Sequence, residues 1–371
     1  MNILIACDSF KGSLTSAQVC GYISETLNSE NINTISCPLA DGGEGTVDAF
    51  RSALECETIT TTVHDPLMRK ISAQYVIAET TAIIEMAAAS GITLLKDNEL
   101  NSEITSTYGT GELICHAIEK GCSKIIIGIG GSATNDGGKG CLEALGAVFT
   151  DKNDEQLKPG GASLNELETI SLSDFRKVSD YAELIIACDV TSTLFGENGA
   201  TKVFARQKGA DDQQIENLEK ALIHFSEKSK EVLYEDYSTL SGTGAAGGLG
   251  FALVAFCGGK LTSGFNAVSD ALSLEYKIKT CDIVITGEGK TDNSTLLGKL
   301  PISVAKLSKK HNKPCILLSG DIDESVNLSD YFYKTYKCRL SSDSTEEAIN
   351  NAKERLLTAT EKILKDLKNY I

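Results

Sequence analysis

The chain has 371 residues, 42% of them apolar and 23% charged, with a formal net charge of −16. That length accommodates two α/β domains with full cores, and so acidic a chain excludes sequence-independent nucleic-acid binding, which needs a basic surface. No apolar run is long enough for a membrane span and the first residues lack the basic region of a secretion signal, so a cytoplasmic protein without a membrane partner is expected.

An apolar run over Asn2–Cys7 predicts the first strand. Thr15 and Gln18 form a capping-box pattern that opens a helix reaching Asn28. A second strand follows over Asn33–Pro38, then the loop Ala40–Gly45 and a helix over Thr46–Leu54. Two β-rich runs, Glu57–Val63 and Ile71–Ile77, precede the short apolar stretch Ile83–Ala89. Gly109–Lys120 reads as a helix closed by Gly121. Lys124–Ile129 is a strand that empties into a glycine-rich loop, and a helix begins near Gly138. Glu183–Cys188 is a strand ending at Asp189, and Asp211–Lys230 is a charged helix with a solvated face. Cys281–Thr286 and Pro314–Ser319 are further strands, flanking a helix with Pro301 in its first turn. Thr345–Tyr370 predicts a long terminal helix.

Strands alternating with helices indicate the α/β class with largely parallel sheet. No low-complexity linker divides the chain, so one domain is expected to be inserted in the other. Residues 1–75 and 280–371 would form a discontinuous Rossmann-like domain, residues 76–279 the inserted domain with the glycine-rich loops, and a cleft would lie between them. The twelve cysteines contain no Cys-x-x-Cys pair and fall mostly in apolar segments, which reads as reduced core thiols.

Chemistry concentrates where strands end. The segment Ile125–Gly140 carries glycines, hydroxyls, an Asn and an Asp between a strand and a helix, a composition suited to enclosing an anion. Similar loops recur at Asp41–Thr46, Gly242–Gly250 and Thr286–Asp292. Asp8, Asp189 and Glu288 each follow an apolar strand, the position at which ligands of open α/β sheets collect. An acid there can hold Mg²⁺ or accept a hydroxyl proton, or simply cap a turn or helix. Lys11, in the polar turn after the first strand, can neutralise a carboxylate or a phosphoryl group.

The signatures of other chemistries are absent or weak. Gly128, Gly130 and Ala133 fit the dinucleotide fingerprint formally, without the acidic ribose partner after a second strand. A Walker A loop, Gly-x-Ser-x-Gly and His-Glu-x-x-His are missing. The residues by themselves thus describe an anion-handling α/β enzyme, and phosphoryl transfer fits because it requires mainly positioning and charge neutralisation.

The chain resembles the type 1 glycerate kinases nearly end to end. The resemblance rests on Asp8-Ser-Phe-Lys-Gly-Ser13, Pro38–Gly45, Glu85–Gly91, Tyr108–Glu112, Gly128–Gly140, Cys188-Asp-Val190, Gln207-Lys-Gly-Ala210, Gly244–Gly250 and Thr286–Gly289. It implies a two-domain α/β enzyme that phosphorylates D-glycerate with ATP and Mg²⁺, with 2-phosphoglycerate favoured over 3-phosphoglycerate, and it is compatible with a homodimer. The chain departs from the family pattern at Ser192, Thr193, Arg206, Lys290 and Ser294.

On this reading Asp189 orients or deprotonates the attacking hydroxyl, with Asp8 second, and Lys11 completes the catalytic set. Ser13, Asp41, Glu44, Ser132, Asn135 and Asp136 are expected at the substrate. Gly128, Gly130, Gly131, Gly137, Gly138, Gly287, Gly289 and Lys290 are expected at phosphates, and Glu288 and Asp292 at Mg²⁺. Two alternatives stand beside it: a nicotinamide-dependent oxidoreductase of a small hydroxy acid, and a non-catalytic sensor of a small anion.

Overall fold

The computed structural model describes residues 1–30, 32–40 and 45–368. The chain divides into two compact units, residues 1–41, 48–55 and 268–371, and residues 42–47 and 56–267.

The first unit is built on a five-stranded, wholly parallel sheet. Its order is Lys334–Lys337, Cys315–Ser319, Ile283–Gly287, Asn2–Cys7, Asn33–Ser36. The strand Asn2–Cys7 is buried from Ile3 onward, as expected of a parallel strand covered on both faces. Helix Ser16–Asn28 begins with the predicted capping box, Thr15 accepting from the Gln18 amide and the Gln18 side chain from the Thr15 amide. Its Val19, Ile23 and Leu27 join Leu356, Ile363 and Leu367 of the terminal helix in one core with Ile3 and Ile5.

The second unit holds a mixed six-stranded sheet. Lys260–Thr262, Glu183–Ala187, Lys124–Gly128 and Thr81–Glu85 run parallel; Lys70–Ala78 and Glu57–His64 continue the sheet antiparallel. Helix Asp212–Leu233 is charged, yet it buries Leu218, Ala221, Leu222 and Phe225, so solvation is confined to its other side.

Three boundaries differ from the sequence expectation. The segments Glu57–His64 and Lys70–Ala78, assigned above to the domain of residues 1–75, hydrogen-bond into the six-stranded sheet. Their one-sided burial is that of an antiparallel hairpin, which pairs with the strand following it. Ile83–Ala89 is a strand, Thr81–Glu85, followed by a one-turn helix, Ala87–Ser90. The terminal helix is two helices, Thr345–Asn350 and Ala352–Lys368, because Asn351 leaves helical geometry (φ −104°, ψ 19°); Tyr370 lies outside the described residues. All cysteines are free thiols, most of them buried. Among the described residues no helix is long and apolar enough to cross a membrane.

Candidate active site

Parallel pairing aligns the carboxyl ends of neighbouring strands, and the candidate residues follow from that register. In the five-stranded sheet Cys7 pairs with Gly287, which places Asp8 and Glu288 side by side just beyond it. The Asp8 carboxylate accepts from the Ser9 amide (2.7 Å), while the Asp8 amide donates to the Gly287 carbonyl. Gly289 lies against the next turn: a Cβ there would stand 3.2 Å from the Lys11 nitrogen and from the Phe10 Cα. Lys11 is exposed on that turn. Ser13 is exposed too, but its hydroxyl donates to the Phe10 carbonyl and closes the turn.

Glu288 is buried, and its Oε1 accepts from the hydroxyls of Thr295 (2.7 Å) and Thr291 (2.9 Å). Burial pushes its carboxyl above the usual carboxylate range, against the opposing pull of the two hydroxyls and of Lys299. The Asp292 carboxylate is held in a local turn by the amide and hydroxyl of Ser294. The Ser294 hydroxyl holds that carboxyl below its ordinary range. Lys290 is exposed and runs in register with Asp321, which is paired in turn with Lys337 and Arg339. Two carboxylates on one loop suit a Mg²⁺ that arrives with phosphates, since this ion usually needs only one or two protein carboxylates. Among the described residues no group of three or more His, Cys, Asp or Glu could cage a metal.

In the six-stranded sheet Glu85, Gly128, Ala187 and Thr262 form one row at the strand ends. Asp189 stands two residues beyond the row; it is exposed, and its Oδ1 accepts from the Gly264 amide (3.0 Å) at the start of helix Gly264–Ala271. Gly130 and Gly131 form the exposed tip of the loop after Gly128. From Ser132 onward that loop is buried.

The buried half of the loop departs from the sequence expectation. Asp136 is fully buried, and its carboxylate accepts from the Thr107 amide (2.8 Å), the Thr107 hydroxyl (2.9 Å), the Gly138 amide (3.0 Å) and the Gly140 amide (3.2 Å). The anion at the start of helix Lys139–Ala144 is therefore the chain's own carboxylate, and Asp136 is a structural group rather than a substrate ligand. The amides of Gly137 and Gly138, expected at phosphates, instead donate within the chain, to the Gly247 carbonyl and to Asp136 Oδ1. A Cβ on Gly137 would stand 2.7 Å from the Phe225 ring, and one on Gly138 2.4 Å from the Ala252 Cβ, with both residues at positive φ. These glycines let two helices approach the loop.

Asn135 is also fully buried; its Nδ2 donates to the Thr201 hydroxyl (3.0 Å) and its Oδ1 has no partner among the described residues. Thr134 Oγ1 and Ser192 Oγ are likewise buried without a partner. The loop Gly244–Gly248 closes over this region. Gly137 donates to the Gly247 carbonyl, a Cβ on Gly247 would stand 2.0 Å from the Thr134 carbonyl oxygen, and Ala246 takes the left-handed φ of 53°, a strained geometry for a residue with a Cβ. Lys208 is a further buried residue of this region. It is only 2% exposed, and its ammonium donates to Ser132 Oγ and to the Thr134 carbonyl, each at 2.7 Å. The only sequence signal was its place in Gln207-Lys-Gly-Ala210. Asp41 and Glu44 lie outside the described residues.

The sequence model of the glycerate kinase family matches residues 3–368. The chain belongs to the glycerate kinase family. It is a phosphotransferase, and the nicotinamide and sensor readings fall away. The helix end that the dinucleotide fingerprint would offer to a pyrophosphate is the one Asp136 occupies. The chain is 43% identical over 332 residues to Escherichia coli K12 glycerate 2-kinase, covering 88% of this chain and 87% of the relative. It is 38% identical over 364 residues to a Bacillus cereus glycerate kinase, covering 96% and 95%. A crystal structure of a Salmonella typhimurium LT2 protein, provisionally called glycerate kinase 2, superposes with a TM-score of 0.90 at 39% identity, covering 100% of this chain and 98% of that one.

Proposed function

We propose that the protein transfers the terminal phosphoryl group of ATP to the 2-hydroxyl of D-glycerate. The observation that carries this reading is the alignment of carboxylates and glycine-rich loops at parallel strand ends in a chain of this family. The choice of the 2-position draws on the Escherichia coli relative, which is named for it. Phosphoryl transfer asks the protein for position and charge rather than for a covalent nucleophile, and the strand-end groups are of that kind.

Asp189 takes or orients the proton of the attacking hydroxyl. Asp8 and Lys11, on the turn after the first strand, manage charge on the substrates. Glu288 and Asp292 take the Mg²⁺, which would neutralise charge on the ATP phosphates. Burial favours the uncharged Glu288 carboxyl, and a cation beside it would oppose that by favouring the ionised form. The test is incubation of the purified protein with D-glycerate and MgATP, followed by ³¹P NMR of the product. 2-Phosphoglycerate is expected; 3-phosphoglycerate overturns the choice of hydroxyl, and no phosphoglycerate overturns the reading.

A further inference from the structure

We propose that Lys208 is a positioning residue whose ammonium turns the hydroxyl of Ser132 outward, as a hydrogen-bond donor to an anionic oxygen of a bound substrate. The proposal deepens the reading above and rests on it for the identity of the substrates.

An ammonium has three donors and no acceptor. While Lys208 is protonated, Ser132 Oγ at 2.7 Å accepts from its Nζ, and the Ser132 hydrogen points elsewhere. Among the described residues Ser132 Oγ donates no hydrogen bond. Ser132 is the first buried residue after the exposed Gly130 and Gly131, beyond the aligned strand ends Gly128 and Ala187, on the side of the sheet where ligands of such folds collect.

The surroundings of Lys208 point the same way. A buried cation without a close counter-charge is unfavourable. Asp136 is the one charged group felt by Lys208 among the described residues, and its carboxylate is already engaged by four other donors. Ser132 and Thr134, which face the ammonium directly, are neutral. The adjoining Thr134 Oγ1, a hydroxyl able to donate, is fully buried without a partner among the described residues, whereas buried polar atoms are ordinarily satisfied. An arriving anionic oxygen would supply the missing negative charge through Ser132. Burial holds the Lys208 ammonium down at about 7, with Asp136 opposing that shift, so the free protein is poised to gain a proton when an anion binds.

A lysine that merely tied the 206–208 turn to the 132–134 loop would serve both substrates alike. The experiment therefore compares wild type, Lys208→Met, Ser132→Ala and the double variant, varying D-glycerate at saturating MgATP and the reverse. Each single variant should raise KM for the same one substrate by about tenfold or more, the usual effect of losing a hydrogen bond to a charged group. The double variant should be no worse than the worse single, because the pair acts as a unit. A rise for D-glycerate assigns the oxygen to its carboxylate, and a rise for MgATP assigns it to phosphate. Wild-type kcat/KM for that substrate should fall as pH rises past neutrality, when the ammonium loses its proton, and the fall should vanish in Lys208→Met. Unchanged KM values in Ser132→Ala, or losses that multiply in the double variant, overturn the proposal. Should Lys208→Met fail to fold, Ser132→Ala decides by itself. If wild type makes no phosphoglycerate, the functional reading has failed separately. The shift in unfolding temperature produced by D-glycerate alone and by MgATP alone then decides. A shift lost in Ser132→Ala supports the pair; equal shifts overturn it.

Discussion

The loops after Gly128 and after Gly287 look alike in sequence: each leaves a parallel strand through glycines, hydroxyls and an acid. In structure they do opposite things. The loop after Gly128 closes around its acid, giving Asp136 four donors and no solvent. The loop after Gly287 holds Glu288 through two hydroxyls on one oxygen and leaves Lys290 exposed. One acid builds the loop, and the other is the one we propose meets a ligand. Glycine-rich polar loops at strand ends therefore identify a site region without saying which of their acids meets the substrate.

The largest expected effect tests the closed loop. Asp136→Ala strands four buried donors, and should lower the stability measured by urea unfolding by about 3–5 kcal/mol, with activity lost through unfolding. The strand-end acid Asp189 should behave in the reverse manner. In Asp189→Asn the amide oxygen can still accept from Gly264, so unfolding should barely move while kcat falls about 10²-fold or more, as expected for loss of a base. Near-normal kcat in a folded Asp189→Asn would remove it from the mechanism.

Glu288→Gln sharpens the contrast between the two loops. The glutamine oxygen can still accept from Thr291 and Thr295, so the fold should persist while kcat/KM falls about 10²-fold, on the scale of losing one electrostatic contact. The sign of its pH effect is fixed. Glu288 has a raised carboxyl, so its contribution to stability is full below the unfolded pKa and is lost as pH rises through the folded pKa. The variant should therefore gain on wild type in thermal unfolding as pH rises through that range. The smallest effect belongs to packing. Gly138→Ala meets the Ala252 Cβ and a positive φ, and should cost about 1–3 kcal/mol without altering the KM of the remaining folded enzyme.

Much of the fold was legible because its signals are local. The capping box of Thr15 and Gln18, the buried runs of the parallel strands and the proline opening helix Leu300–Lys310 depend on neighbours in the chain. The membership of Glu57–His64 was not legible, since it depends on which strand completes its hydrogen bonds. The strand-end acids could be found for the same local reason. The roles of Asp136, Gly138 and Lys208 could not, because they are fixed by Thr107, Ala252 and Ser132, which lie 29, 114 and 76 residues away in the chain. A buried lysine reads as a surface lysine until its partners are known.

The division between a loop-building acid and a ligand-facing acid is tested most directly by the unfolding free energies of Asp136→Asn and Glu288→Gln measured side by side at neutral pH. The asparagine leaves part of its carboxylate's donors unsatisfied, and should lose about 2 kcal/mol or more, while Glu288→Gln should stay within about 1 kcal/mol of wild type. Equal losses in the two variants, or a larger loss at Glu288, would contradict the account.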